Sequence, residues 1–164
     1  MESVFDVAQY IYKEYKRISN QAIDEMKLQK LLYYTQRESF AITGEPMFDA
    51  EFEGWKYGPV CRAVRAVFTT DGINANCKPI SFSNAYIVNN VISEYGAIES
   101  WKLSELSHKE TSWINSRKGL ENGEIGSKAI KLSDIKIDAE KVRPYDHVWD
   151  MYYDEFEDLD SIKV

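Results

Sequence analysis

The chain has only two cysteines, Cys61 and Cys77, too few for a disulfide framework and too far apart for a CxxC site. It has only two histidines, His108 and His147, and neither stands in an HExxH pattern. Neither a Walker A motif nor a GxGxxG loop is present, so no phosphate-cradling fingerprint exists and no cofactor or metal is expected. No apolar run approaches the length of a membrane span. The start, Met1 to Asp6, lacks the basic head and apolar stretch of a signal peptide, so a reduced, cytoplasmic setting is expected, with no membrane partner. A basic excess is missing too. The net charge is −7, and from Asp146 onward seven acids stand against Lys163 alone, leaving the first 145 residues near neutral. Such a body has little to grip a phosphate backbone and such a tail repels one, so direct nucleic-acid binding is not expected.

What is present suits a folded domain. The 164 residues are 44% hydrophobic and 13% aromatic, enough to close one core. The strongest helical signal runs from Met26 to Thr43. Leu28, Leu31, Leu32, Thr35, Ser39 and Ile42 recur at the spacing of one helix face, Asp24 and Glu25 stand in front, and Gly44 with Pro46 ends it. A second stripe on the same helix, Lys27, Lys30, Tyr34 and Arg37, reads as an exposed face made to meet something.

Around it, Val4 to Ile18 reads as a first helix. Phe48 to Tyr57 suggests a loop with a short strand, half of a small hairpin, whose partner is sought in Cys77 to Phe82 with Pro79 at an edge. Gly58-Pro59 predicts the start of a third helix with Val60, Val64, Val67 and Phe68 buried, ended by Asp71-Gly72. Ser83 or Asn84 would cap a fourth helix closed by Gly96. Short helices follow from Ser100 to Ser107 and from about Ser112-Trp113, then a glycine-rich loop from Gly119 to Gly126. Ile130 to Leu132 reads as extended, before Ser133-Asp134 caps a helix to about Lys141 that Arg143-Pro144 breaks. His147 to Phe156 reads as a further helix, acidic and aromatic. The sum is a mainly α, single-domain fold of about six to eight helices with a two- or three-stranded β element.

Candidate chemistry is sparse. His108 could in principle pair with Cys61 or a serine as a hydrolase; a structural role at a helix junction beside Trp113 is the expectation. Glu51 and Glu53 read as a solvated strand edge. The cations Lys27, Lys30, Arg37, Lys56, Arg62 and Arg65 fit a solvated surface whose stems cover apolar area, or, with Tyr34, Trp55 and Tyr57, a patch that docks a partner protein. The aromatic tail is expected to pack on the domain; its alternative is an amphipathic helix offered to a partner.

Three blocks carry a resemblance. Lys27 to Gln36 (KLQKLLYYTQ), Gly44 to Phe48 (GEPMF) and Gly54 to Val60 (GWKYGPV) resemble the signature of the Panacea domain, the SocA-like antitoxin family found among phage and mobile-element proteins. Leu103 to Glu110 with Trp113 is similar to its second block, and Ser133-Asp134-Ile135 to its closing one. On this resemblance the domain spans 1–142, and 143–164 is an acidic, aromatic extension beyond it. Gly54 departs from the alanine usual there. The resemblance implies a mainly helical fold with a small β element, with Leu28, Leu31, Leu32, Gly58, Pro59, His108 and Trp113 as structural motif residues. It implies a non-enzymatic antitoxin that binds a cognate toxin directly, and one branch of the family delivers its toxin to a protease as an adaptor. The face formed by Lys27, Lys30, Tyr34, Arg37, Trp55, Lys56, Tyr57, Arg62 and Arg65 is the expected contact with the toxin.

Overall fold

The computed structural model describes residues 1–142, so the expected helix from His147 to Phe156, its packing and the 143–164 extension lie outside the described residues. Among the described residues the chain forms α1 (Val4–Ser19), α2 (Glu25–Thr43), β1 (Glu53–Trp55), β2 (Gly58–Val60), α3 (Arg62–Val67), β3 (Phe68–Thr69), β4 (Gly72–Ile73), α4 (Phe82–Tyr95), α5 (Ser100–Ser107), α6 (Thr111–Ser116) and α7 (Leu132–Glu140). The fold is mainly α with two small antiparallel hairpins, as the periodicity implies.

Capping chemistry sets the first boundaries. The Ser3 side chain accepts from Phe5 N, and α1 ends where Asn20 turns left-handed at φ 59°. Asp24 Oδ1 accepts from Lys27 N at 2.8 Å to open α2, and Gly44 at φ 77° closes it. The apolar stripe of α1, with Val4, Val7, Ala8, Ile11, Tyr12 and Tyr15, is buried as its spacing predicts.

The α2 helix runs through the middle of the molecule, packed by α1, α4, α5, α7 and β2. Every residue from Lys27 to Ser39 is buried. The expectation of an exposed second stripe is therefore corrected: Lys27, Lys30, Tyr34 and Arg37 are between 1% and 7% exposed. Burying such groups is costly unless they are hydrogen-bonded, and here most of them serve as staples to neighbouring segments. Lys27 Nζ donates to the Gly96 carbonyl at 2.8 Å, at the end of α4. Gln29 accepts from Cys61 N at 2.8 Å and donates to its carbonyl at 3.1 Å, as a strand neighbour would. Gln36 treats the loop after α2 in the same way, accepting from Met47 N at 2.9 Å and donating to the Phe48 carbonyl at 2.8 Å.

Several other local expectations are also corrected. Gly58-Pro59 begins a strand, because Gly58 sits at φ 114°, a conformation foreign to a helix, and α3 starts only at Arg62. Its β2 is the partner of β1, in the register Glu53↔Val60, Gly54↔Pro59, Trp55↔Gly58, so Cys77 to Phe82 is not the second strand. Asp71 lies in the turn of a second hairpin and Gly72 opens its second strand, β4, paired with Thr69. The cap of α4 is Ser81, whose hydroxyl accepts from Asn84 N at 3.2 Å. Of the extended piece near Ile130, Ala129 bridges Glu53 and Ile130 N donates to the Phe52 carbonyl at 2.7 Å, while Leu132 already starts α7 with Lys131 at its cap.

Candidate functional site, the hairpin tip and its clefts

The β1–β2 turn, Lys56-Tyr57, projects between two clefts and is held from behind. Ser104 Oγ of α5 donates to the Tyr57 carbonyl at 2.7 Å, and Trp113 Nε1 of α6 donates to the Trp55 carbonyl at 2.8 Å. Arg117, just past α6, donates to the Gly54 carbonyl at 3.1 Å and to the Ile125 carbonyl at 2.8 Å, tying the glycine-rich loop to the hairpin. The approach is close: a Cβ on Gly54 would lie 1.8 Å from Ser116 Oγ. The missing side chain at Gly54 is what lets α6 lie against β1.

On the outer side, Trp55 is half-buried and carries two guanidiniums over its ring, Arg62 at 5.6 Å and Arg65 at 5.3 Å. Arg62 Nε and Nη2 donate to Glu53 Oε2 and Oε1, each at 2.8 Å. Glu53, expected at a solvated edge, is buried instead, and the hydrogen bond from Arg62 holds its carboxyl below the usual range. Arg65 Nη1 pairs with Glu25 Oε1 at 2.9 Å. Lys56 lies 5.2 Å over the Tyr57 ring, and Tyr57 is 55% exposed, the most accessible aromatic of the hairpin.

The first cleft, about 420 Å³, runs between the start of α2, the hairpin and Arg65, with Met26, Lys30, Trp55, Tyr57 and Val60 in its walls. Lys30 Nζ donates to the Pro59 carbonyl at 3.2 Å, and burial pushes its amine down to about 8. Gly58 makes room for it, since a Cβ there would lie 2.6 Å from Lys30 Cε. The second cleft, about 610 Å³, lies on the other side of the turn, lined by Tyr57, His108, Trp113 and Arg117. His108 stacks on Trp113, centroids 4.1 Å apart at 11°, at the end of α5. Burial lowers its pKa, with a backbone hydrogen bond to Lys56 working the other way. Nothing in its hydrogen bonding joins it to Cys61 or to a serine, and its Nε2 is buried with no partner among the described residues.

The structure thus brings Trp55, Lys56, Tyr57, Arg62 and Arg65 together on one surface with Lys30 beneath it. It sets Lys27, Tyr34 and Arg37 elsewhere in the interior. Arg37 pairs with Glu110 and donates to Tyr95 Oη at 2.8 Å, and its guanidinium covers Tyr34 at 4.7 Å, with Tyr34 and Tyr95 stacked at 4.4 Å. Sequence reasoning did not single out Gln29, Gln36, Ser104, Arg117 or Asp138. Asp138 of α7 accepts from Thr111 N at 2.8 Å and Ser112 N and Tyr33 Oη at 2.9 Å, fixing the start of α6. Only α6 beginning just after a short turn hinted that such an acceptor was needed.

The family model described as "Antitoxin SocA-like, Panacea domain" matches residues 28–114, which include most of α2, the hairpin, α5 and the His108–Trp113 stack. Antitoxin SocA of Caulobacter vibrioides (strain NA1000 / CB15N) is 34% identical over 70 residues, covering 40% of this chain and 37% of that relative. The chain therefore matches little more than a third of the relative's length. No solved structure matches it.

Proposed function

Because this chain belongs to the SocA-like antitoxin family, that of the Panacea domain, we propose that it neutralises a cognate toxin by direct protein–protein contact in the cytoplasm. The observation that carries this reading is the hairpin tip: an exposed tyrosine with a tryptophan, a lysine and two exposed arginines, on a backbone fixed from behind by Ser104 and Trp113. Trp, Tyr and Arg dominate interface energetics, and a tip already held in place loses little freedom on binding. Lys27, Tyr34 and Arg37 act from inside, by holding the segments that present this face. No catalytic step is part of the reading.

The neighbouring reading frame should be toxic when expressed alone, and this chain should restore growth. Tyr57→Ala should weaken the complex by about 2 kcal/mol or more in calorimetry if Tyr57 fills a partner pocket. A neighbour that is harmless, or that this chain neither binds nor counteracts, would sink the antitoxin reading. Turnover of a substrate by the chain alone would sink the non-enzymatic part. Unchanged affinity in both Tyr57→Ala and Arg62→Glu would remove only the placement of the face.

A further inference from the structure

The first cleft has an unbalanced charge. Arg65 and Glu25 in its walls cancel as a pair, and Arg62 is matched by Glu53 close by. Lys30 and Lys56 remain, and among the described residues neither has a carboxylate within salt-bridge reach. Lys30 is the unusual one. It is 1% exposed, and of its three N–H donors only one is bonded, to the Pro59 carbonyl. An ammonium so placed lacks the partner that a buried charge ordinarily has. Around it the walls are apolar and aromatic: Met26, Val60, Trp55 and Tyr57.

Resting on the antitoxin reading, we propose that this cleft receives from the toxin an apolar side chain flanked by a carboxylate, the carboxylate completing Lys30 with Lys56 at the rim. Two features select this occupant. The two unmatched cations call for an anion, and the cleft shares Trp55, Lys56, Tyr57 and Arg65 with the face proposed to meet the toxin. An apolar ligand alone would leave both cations unpaired.

The charge state of Lys30 gives the proposal a signature. Its amine loses its proton near pH 8 in the free protein, whereas a carboxylate beside it favours the ammonium. The groups facing it are Asp24 and Glu25 on α2, Lys56 and Tyr57 on the turn, Arg65 on α3 and His108 at the end of α5. Burial holds His108 below its ordinary value of 6.5, beneath the window used.

The test measures the affinity of the full chain for the purified product of the adjacent reading frame at pH 7 and pH 9. The wild-type affinity should fall roughly tenfold between the two, as expected of a lysine that must regain its proton to bind. Lys30→Met should bind more weakly at pH 7 and lose most of that pH dependence. Lys56→Glu, at a half-buried position on the turn whose side chain makes no ion pair among the described residues, should also weaken binding at least several-fold. Should Lys30→Met not fold, the wild-type pH profile and Lys56→Glu decide the matter.

If the wild type does not bind the product at all, the antitoxin reading fails and takes this inference with it. If the wild type binds but neither variant nor pH changes the affinity, the reading stands and the carboxylate inference is overturned. A synthetic peptide of residues 146–164 that displaces the product from the full chain, but not from Lys30→Met, would assign the cleft to the chain's own acidic segment and overturn it equally.

Discussion

Gly58 shows how little freedom single positions have. It sits at φ 114°, and a Cβ there would lie 2.3 Å from Ser107 Oγ and 2.6 Å from Lys30 Cε. Gly58→Ala therefore combines left-handed strain with a steric overlap and should cost about 2–4 kcal/mol. Gly123, at φ 95° with nothing within 4 Å of the same atom, should cost only the strain, about 1 kcal/mol. Urea midpoints of the two variants check the difference; equal costs would mean the packing beneath the turn is looser than described. Lys30 makes the opposite case. Its folded pKa of about 8 lies below its ordinary 10.5, so between those pH values the folded chain binds fewer protons than the unfolded one. Its contribution to stability is therefore complete above the ordinary value and falls away as pH drops towards 8, where the ammonium is held in the interior. Lys30→Met should stabilise the fold at pH 7 by roughly 1–3 kcal/mol after loss of the Pro59 hydrogen bond, read as a higher urea midpoint, and the gain should shrink towards pH 10.5. A lower midpoint at pH 7 would make Lys30 structural.

At the scale of elements, α2 is a helix whose polar side chains do the work of secondary structure for the loops beside it. The Arg37–Glu110 pair joins it to the start of α6, and both side chains are largely buried, at 7% and 14% exposure. Removing one charge strands the other, so Arg37→Met should cost about 3–5 kcal/mol. Replacing both, as Arg37→Met with Glu110→Leu, should cost clearly less than the single change. A double-mutant cycle by chemical denaturation measures the coupling, and additivity would mean that the pair does not act as a unit. The helix also shows where sequence reasoning holds and where it stops. Asp24, Gly44 and the Leu28, Leu31, Leu32 stripe are readable because capping and periodicity are local. The exposure of the Lys27, Lys30, Tyr34, Arg37 stripe is not, because a polar face reads the same whether water or a loop carbonyl satisfies it. The hairpin misled for a similar reason: Gly-Pro suits both a helix start and a strand after a tight turn, and the pairing of Trp55 with Gly58 decides between them.

Across the whole molecule, charge is divided between two regions. Residues from Asp146 onward hold seven acids and one lysine, so the rest of the chain is close to neutral. The proposed contact face lies wholly within the described part, and the family match, residues 28–114, covers most of it. Removing Asp146–Val164 should therefore leave affinity for the adjacent-frame product within about threefold and should spare growth rescue, because the contacts that dominate an interface are few and central. A large loss would place part of the face in the removed segment. If the segment instead recruits a protease, the same truncation should stop degradation of the product while binding persists, which a chase of its cellular level would reveal.

Taken alone, the amino-acid order determined which residues share a helix face, where α1 and α2 begin and end, that the molecule is mainly helical, and which blocks place it in its family. These are properties of neighbours along the chain, written in caps, glycines and spacing. Only the tertiary structure decided that both faces of α2 are covered, that Gln29 holds Cys61 and Tyr33 holds Asp138, and that Lys30 ends beneath a cleft with no carboxylate in salt-bridge reach of its amine. Those outcomes depend on segments tens of residues away, whose arrival leaves no mark in local periodicity.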